Sequence, residues 1–253
     1  DGWAPDGFRE GPRCGEEWIV TKHKANVNTR GSLDRELANI RKQLLVMGDK
    51  VDETIDRSLD ALRELNKPLA RQIIADDAEI NTQRFKIEEM CLAVIARQQP
   101  AASDLREIMA IMSIVTDLER MGDHAAGIAK TVLQMGDITA RSLPQGIIRM
   151  ADLGRAMLRR TLEAFAGRDA DLAYAVALQD DLIDTQYRVL FREFLELMNT
   201  KTASTDIYLY LLFCGHNLER IADRVTNIAE RVIFMSSGEM KELNPEPGLT
   251  GLA

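Results

Sequence analysis

One motif occurs twice in this chain, and the repeat limits what it can fold into. Asp117–Lys130 and Asn217–Glu230 share L-E-R-x-x-D, followed five residues later by I-A, at an offset of 100 residues. Glu119 and Asp123 stand four residues apart, as do Glu219 and Asp223, so on a helix each pair shares one face. Like charges at that spacing weaken an isolated helix by roughly 0.2–0.5 kcal/mol. A chain that repeats the arrangement among apolar residues needs a cation or a basic partner to offset it. A second anchor accompanies the first. Asp77 and Asn81, in Asp77–Gln83, parallel Asp180 and Asp184, in Asp180–Gln186, at an offset of 103 residues. Two units built on one plan are therefore expected.

The hydrophobic period says what those units are made of. Leu33, Leu37, Ile40, Leu44, Met47, Val51, Ile55, Leu59 and Leu62 recur at three- and four-residue spacing with charges between them, which predicts a helix from Leu33. Asn66-Lys67-Pro68 ends it, because proline disfavours helix in the residue before it. A second helix is expected from Leu69 to Arg97, ahead of Pro100, and a third from a Ser103 or Asp104 cap to Met135, stopped by Gly136. Pro144 opens a fourth that runs to Ala166. A fifth follows from Ala170 to Met198, and a sixth from Ser204 to Ser236. The expected fold is all-α: six helices arranged as two tandem, pseudo-symmetric three-helix bundles. Residues 32–138 would form the first bundle and 139–237 the second, with 1–31 an unstructured lead and 238–253 a flexible tail.

Composition excludes several functions. The net charge of −8 leaves no basic excess to neutralise phosphates, so nucleic acid is not an expected partner. Cys14, Cys91 and Cys214 are isolated and odd in number, which suits a reducing cytosol rather than a disulfide framework. No run approaches the ~18 apolar residues of a membrane span, and no signal-peptide pattern opens the chain. A soluble, cytoplasmic protein is expected, with peripheral docking at the inner membrane left open. No Walker loop, G-x-S-x-G, H-E-x-x-H or strand-linked GxGxxG is present.

Register then decides whether the acids meet. From the turn at Pro100, Asp77 lies 23 residues back and Asp123 lies 23 residues on. In antiparallel neighbours such equal arms put Asp77 and Asn81 level with Glu119 and Asp123. The turn near Thr200–Thr202 does the same for Asp180 and Asp184 with Glu219 and Asp223. Oxygen side chains converging from two helices make a hard-cation site, suited to Mg²⁺, Mn²⁺, Ca²⁺ or iron. Zn²⁺ stays among the candidates. The competing reading is a solvated acidic face neutralised by Arg120, Arg220 and Arg224 through ion pairs of ~0–1 kcal/mol. Asn81 is the weakest donor of the eight. His124 and His216 read as packed or partner-facing rather than as ligands. A carboxylate-bridged metalloenzyme or metal store is the alternative from another class, and the missing E-x-x-H pairs of di-iron bundles count against it. Met109, Met112, Met121 and Met157 read as core, as do Phe191, Phe194 and Leu195, for which an interface stripe is the alternative.

The chain resembles the PhoU family of bacterial phosphate-transport accessory and signalling proteins over about residues 33–235. The likeness rests on D-R-E-L-x-x-I-R at Asp34–Arg41, A-R-Q-Q-P-A-A-S-D-L-R at Ala96–Arg106, D-L-E-R-M-G-D-H at Asp117–His124 and N-L-E-R-I-A-D-R-V-T-N-I-A-E at Asn217–Glu230. It implies two three-helix bundles whose E/D-x-x-x-D motifs hold metal ions or clusters, in a protein that forms homodimers. Asp77, Glu119, Asp123, Asp180, Asp184, Glu219 and Asp223 match the acidic positions, and Asn81 departs from them. The implied role is regulatory, not catalytic. Such proteins link the phosphate ABC transporter, through its ATPase, to a sensor histidine kinase, and they hold starvation signalling and uptake down when phosphate is plentiful.

Overall fold

A computed structural model describes residues 16–135, 143–199, 205–240 and 243, with side chains from Arg30 onward. Among them all regular structure is helical: α1 (Glu16–Glu64), α2 (Lys67–Gln98), α3 (Ser103–Gln134), α4 (Gln145–Gly167), α5 (Ala170–Ala177), α6 (Asp180–Asn199) and α7 (Thr205–Ser237). Of the expected unstructured lead at 1–31, residues 1–15 lie outside the described residues, whereas 16–31 form the first turns of α1, so this helix begins well before Leu33. Gly136 and most of the expected junction between the units also lie outside them, as does most of the expected tail at 238–253. No helix among the described residues is long and apolar enough to cross a membrane.

Helices α1, α2 and α3 pack on one another, and α5 and α6 each pack on α4 and α7, which pack together, so two bundles stand as expected. All nine periodic positions of α1, from Leu33 to Leu62, are buried, each contributing about 1.5–3 kcal/mol by leaving water. The helix ends follow local chemistry. Asn66 Oδ1 accepts from the Leu69 backbone N–H at 3.0 Å, with Pro68 in the first turn of α2. The expected cap of α3 is not used. Ala102 occupies the N-cap without a side-chain bond, and Asp104 instead accepts from Arg30 Nη1 at 2.7 Å.

The fifth expected helix is broken. Leu178 and Gln179 close α5 with short backbone bonds to Tyr174 and Val176, and α6 restarts at Asp180. Neither proline nor glycine marks that break. Three apolar assignments also fail: Met109, Phe191 and Leu195 are exposed, while Met121, Met157 and Phe194 are in the core. Helical spacing places a residue on a face but does not say whether a third helix covers it.

The bundles meet mainly along α3 and α7. Arg224 Nη1 lies 3.4 Å from Asp117 Oδ1, and His124 Nδ1 lies 3.2 Å from Asn217 Oδ1. The 100-residue offset exchanges these two contacts, so the seam is antiparallel with a pseudo-twofold axis through it. A Cβ at Gly127 would sit 2.8 Å from Asn217 Oδ1, so a larger residue there would push the Asn217 side chain off its contact with His124. A second seam joins α1 to α4, where Arg155 Nε donates to Asp52 Oδ1 at 2.9 Å and Arg159 Nη2 to Asp52 Oδ2 at 2.7 Å.

Glu107 of α3 ties the halves a third time. It is 1% exposed and accepts from Arg41 of α1 and from Arg168, the left-handed C-cap of α4. Removing one partner of a buried pair costs about 3–5 kcal/mol, and less here because both arginines reach solvent. Glu107→Ala should therefore lower Tm by roughly 5–10 °C, read by scanning calorimetry, whereas Glu79→Ala at the exposed Lys50 pair should leave it unchanged within error.

Candidate metal centre

In the second bundle α6 and α7 run side by side and bring three nominated carboxylates together. One oxygen each from Asp180, Asp184 and Asp223 lies within 4.8 Å of the others. Asp180 is 3% exposed, at the start of α6; Asp184 and Asp223 are half-buried. Glu219, the fourth acid nominated in this half, stands one turn before Asp223. Its Oε2 is buried and accepts no hydrogen bond, and His216 Nδ1 lies 3.4 Å away. Burial, then the charges of Asp223, Asp184 and Asp180, push the Glu219 carboxyl up to about 7, against Arg220. Asp223 is raised in the same way, chiefly by burial, although Arg220 Nη1 sits 2.8 Å from its Oδ2.

The first bundle assembles its acids less completely. Asp77 is raised by burial and by facing Asp123, and Glu119 by burial and by Asp123 and Asp77, so these three are neighbours. Asp77 Oδ1 is buried without a hydrogen bond. Asn81 turns back on its own helix, with Nδ2 3.5 Å from the Asp77 carbonyl, and Asp123 is exposed.

The donor chemistry fits a hard cation in the second bundle: several carboxylate oxygens at the right span, with no thiolate nearby. Cys91 and Cys214 are buried, and burial holds both thiols up at about 12. Two carboxylates 4 Å apart repel by about 4 kcal/mol at an effective dielectric of 20. A proton on Glu219 or a cation relieves that repulsion. The histidines behave as packing and flanking groups. His124 belongs to the α3–α7 seam, and burial, with Arg224 and Arg220 nearby, lowers its pKa against the Asn217 bond. His216 flanks Glu219 and lies 6.2 Å from the Tyr187 ring. Sequence reasoning passed over Tyr187, Arg84 and Lys130, although alignment of the two repeats could have found them.

A family model described as PhoU domain matches twice, at residues 44–132 and 147–232. The chain belongs to the PhoU family. The two PhoU matches coincide with the two units, separated by the same offsets as the acidic anchors. Similar proteins include the phosphate-specific transport system accessory protein PhoU homolog of Streptococcus pneumoniae, 39% identical over 216 residues, covering 85% of this chain and 100% of that one. A PhoU homolog of Pseudomonas putida is 36% identical, over 87% of this chain and 86% of its own. The crystal structure of the phosphate transport system regulatory protein PhoU from Streptococcus pneumoniae superposes with a TM-score of 0.78 at 37% identity, covering 83% of this chain and 100% of that one. PhoU from Pseudomonas aeruginosa gives 0.75 at 35%, covering 81% and 99%.

The raised Glu219 carboxyl has a thermodynamic consequence for this PhoU protein. The folded state holds the proton more tightly than the unfolded chain, whose ordinary value is 4.5. The associated stability is complete below about 4.5 and lost as pH rises through about 7, to roughly 3 kcal/mol at most. Metal-free protein should therefore lose Tm between pH 5 and pH 8, and Glu219→Gln should flatten most of that slope. An equal slope in the variant would remove Glu219 as its source.

Proposed function

We propose that this chain is a regulatory accessory of a phosphate-specific transport system, acting as a homodimer at the cytoplasmic face of the inner membrane. It restrains phosphate uptake and keeps phosphate-starvation signalling off when phosphate is plentiful. The observation that supports this reading is the match, in sequence and in fold, along the whole length of relatives named as accessory or regulatory proteins of phosphate transport.

In this reading the chain contacts the transporter's ATPase and a sensor histidine kinase, and its acidic cleft holds a hard cation. The cation would be held by Asp180, Asp184, Glu219 and Asp223, where it would screen their repulsion and brace α6 against α7. Because α7 packs on α3, rigidity gained in the cleft reaches the seam between the bundles. Arg220, already paired with Asp223, sets the orientation of that carboxylate and limits the charge the cation must balance. Exposed Phe191 and Leu195 on α6, with Leu209 and Phe213 on α7, add apolar surface in the same half that suits a protein partner.

Replacing Glu219 and Asp223 together with alanine should lower bound metal in protein purified without chelator and raise a phosphate-starvation reporter in phosphate-replete cells. Derepression with metal unchanged would separate the regulatory role from the cation, and a silent reporter with metal lost would show that regulation does not need it.

A further inference from the structure

The first half of this chain departs from its twin where the cation would sit. We infer that the first bundle does not take the metal ion that a duplicated acidic motif implies, and that Arg84 and Lys130 fill its place with the chain's own positive charge. The inference rests on the cation reading of the second bundle.

The two repeats differ position by position. Asp77 matches Asp180, Glu119 matches Glu219 and Asp123 matches Asp223. Asn81, however, stands where the second half has Asp184, and Arg84 where it has Tyr187. Lys130 stands where it has Glu230, and Thr116 where it has His216. At the positions that differ, the first half carries Asn81, Arg84 and Lys130 against Asp184, Tyr187 and Glu230, while both halves keep the motif arginine (Arg120 and Arg220) and Arg224 stands where the first half has His124.

The geometry follows the charges. Arg84, on α2 with its side chain 20% exposed, lies 3.7 Å from Glu88 and over the Phe85 ring, and is close enough to Glu119 on α3 to favour its ionised form. Lys130, exposed on α3 two turns beyond Asp123, does the same for Asp77 from the solvent side. A guanidinium is always charged and cannot be titrated away, so a metal entering the α2–α3 cleft would have to displace it or bear its repulsion. Space is also shorter. A Cβ at Gly122 would lie 3.0 Å from Ile80 Cδ1 and 3.4 Å from Asp77 Oδ1, whereas the matching residue of the second half is Ala222. Among the described residues only Asp180, Asp184 and Asp223 close to metal-ligand span. Neutral Tyr187, beside them, has its phenol pKa raised by burial and by Glu219, so it brings no charge.

The test uses the full chain, freed of metal and dialysed against saturating Mn²⁺. Bound manganese is read by elemental analysis and by electron paramagnetic resonance. Glu119→Gln with Asp123→Asn should bind as much Mn²⁺ as the unaltered chain, and Glu219→Gln with Asp223→Asn should lose it all. Manganese retained by the second variant and lost in part from the first would overturn the inference while leaving the cation reading intact. No manganese on the unaltered chain would instead defeat the cation reading itself. In the other direction, Asn81→Asp with Arg84→Tyr and Lys130→Glu should raise the bound manganese above the unaltered level. A helical, cooperatively melting form of that variant with no added manganese would overturn the role given to Arg84 and Lys130.

Discussion

The antiparallel contact of α3 with α7 is the constraint on which the rest of the molecule depends. Each of these helices is buried against its own bundle on one side and against the other bundle on another, which is why α3 is buried along much of its length. Two polar contacts, Asp117 with Arg224 and Asn217 with His124, set the register of that seam from both directions. A slip of one turn would break both at once. The acidic motifs occupy the faces of α3 and α7 that the seam leaves over, and those faces meet α2 and α6.

Charge is treated in two ways. Most acids with reduced exposure have a basic partner: Glu107 has Arg41 and Arg168, Asp52 has Arg155 and Arg159, and Asp76 has Arg57. At the α6–α7 cleft acids face acids instead, with Arg220 the cation paired to Asp223. Such crowding is costly in a partly dry cleft and is relieved by a proton or by a cation. A fold under selection for stability alone has many cheaper ways to fill that volume, and this is the physical ground for placing function there.

Much of the fold was legible in the sequence because it depends on period and count. The nine apolar positions of α1 repeat with the helical turn, and all nine are buried. Equal arms about the Pro100 turn put Asp77 beside Asp123, since antiparallel helices convert residue counts directly into height. Elsewhere the count carried no information. Met109, Phe191 and Leu195 have core spacing and core chemistry yet face outward, because exposure depends on which neighbour lies across that face. The break at Leu178–Gln179 has no proline or glycine to announce it.

What the sequence determined alone was the helical content, the duplication and the identity of the acids, all properties of residues and of their spacing along one rod. Which acids come within reach of a shared ion was decided only by tertiary packing. Asp180, Asp184 and Asp223 converge, while Asn81 turns back to its own backbone and Asp123 faces water. The reason is that distances between side chains on different helices depend on crossing angle, on the depth of packing and on what fills the gap. Beside the acids of one bundle stands Tyr187, and at the matching position of the other stands Arg84.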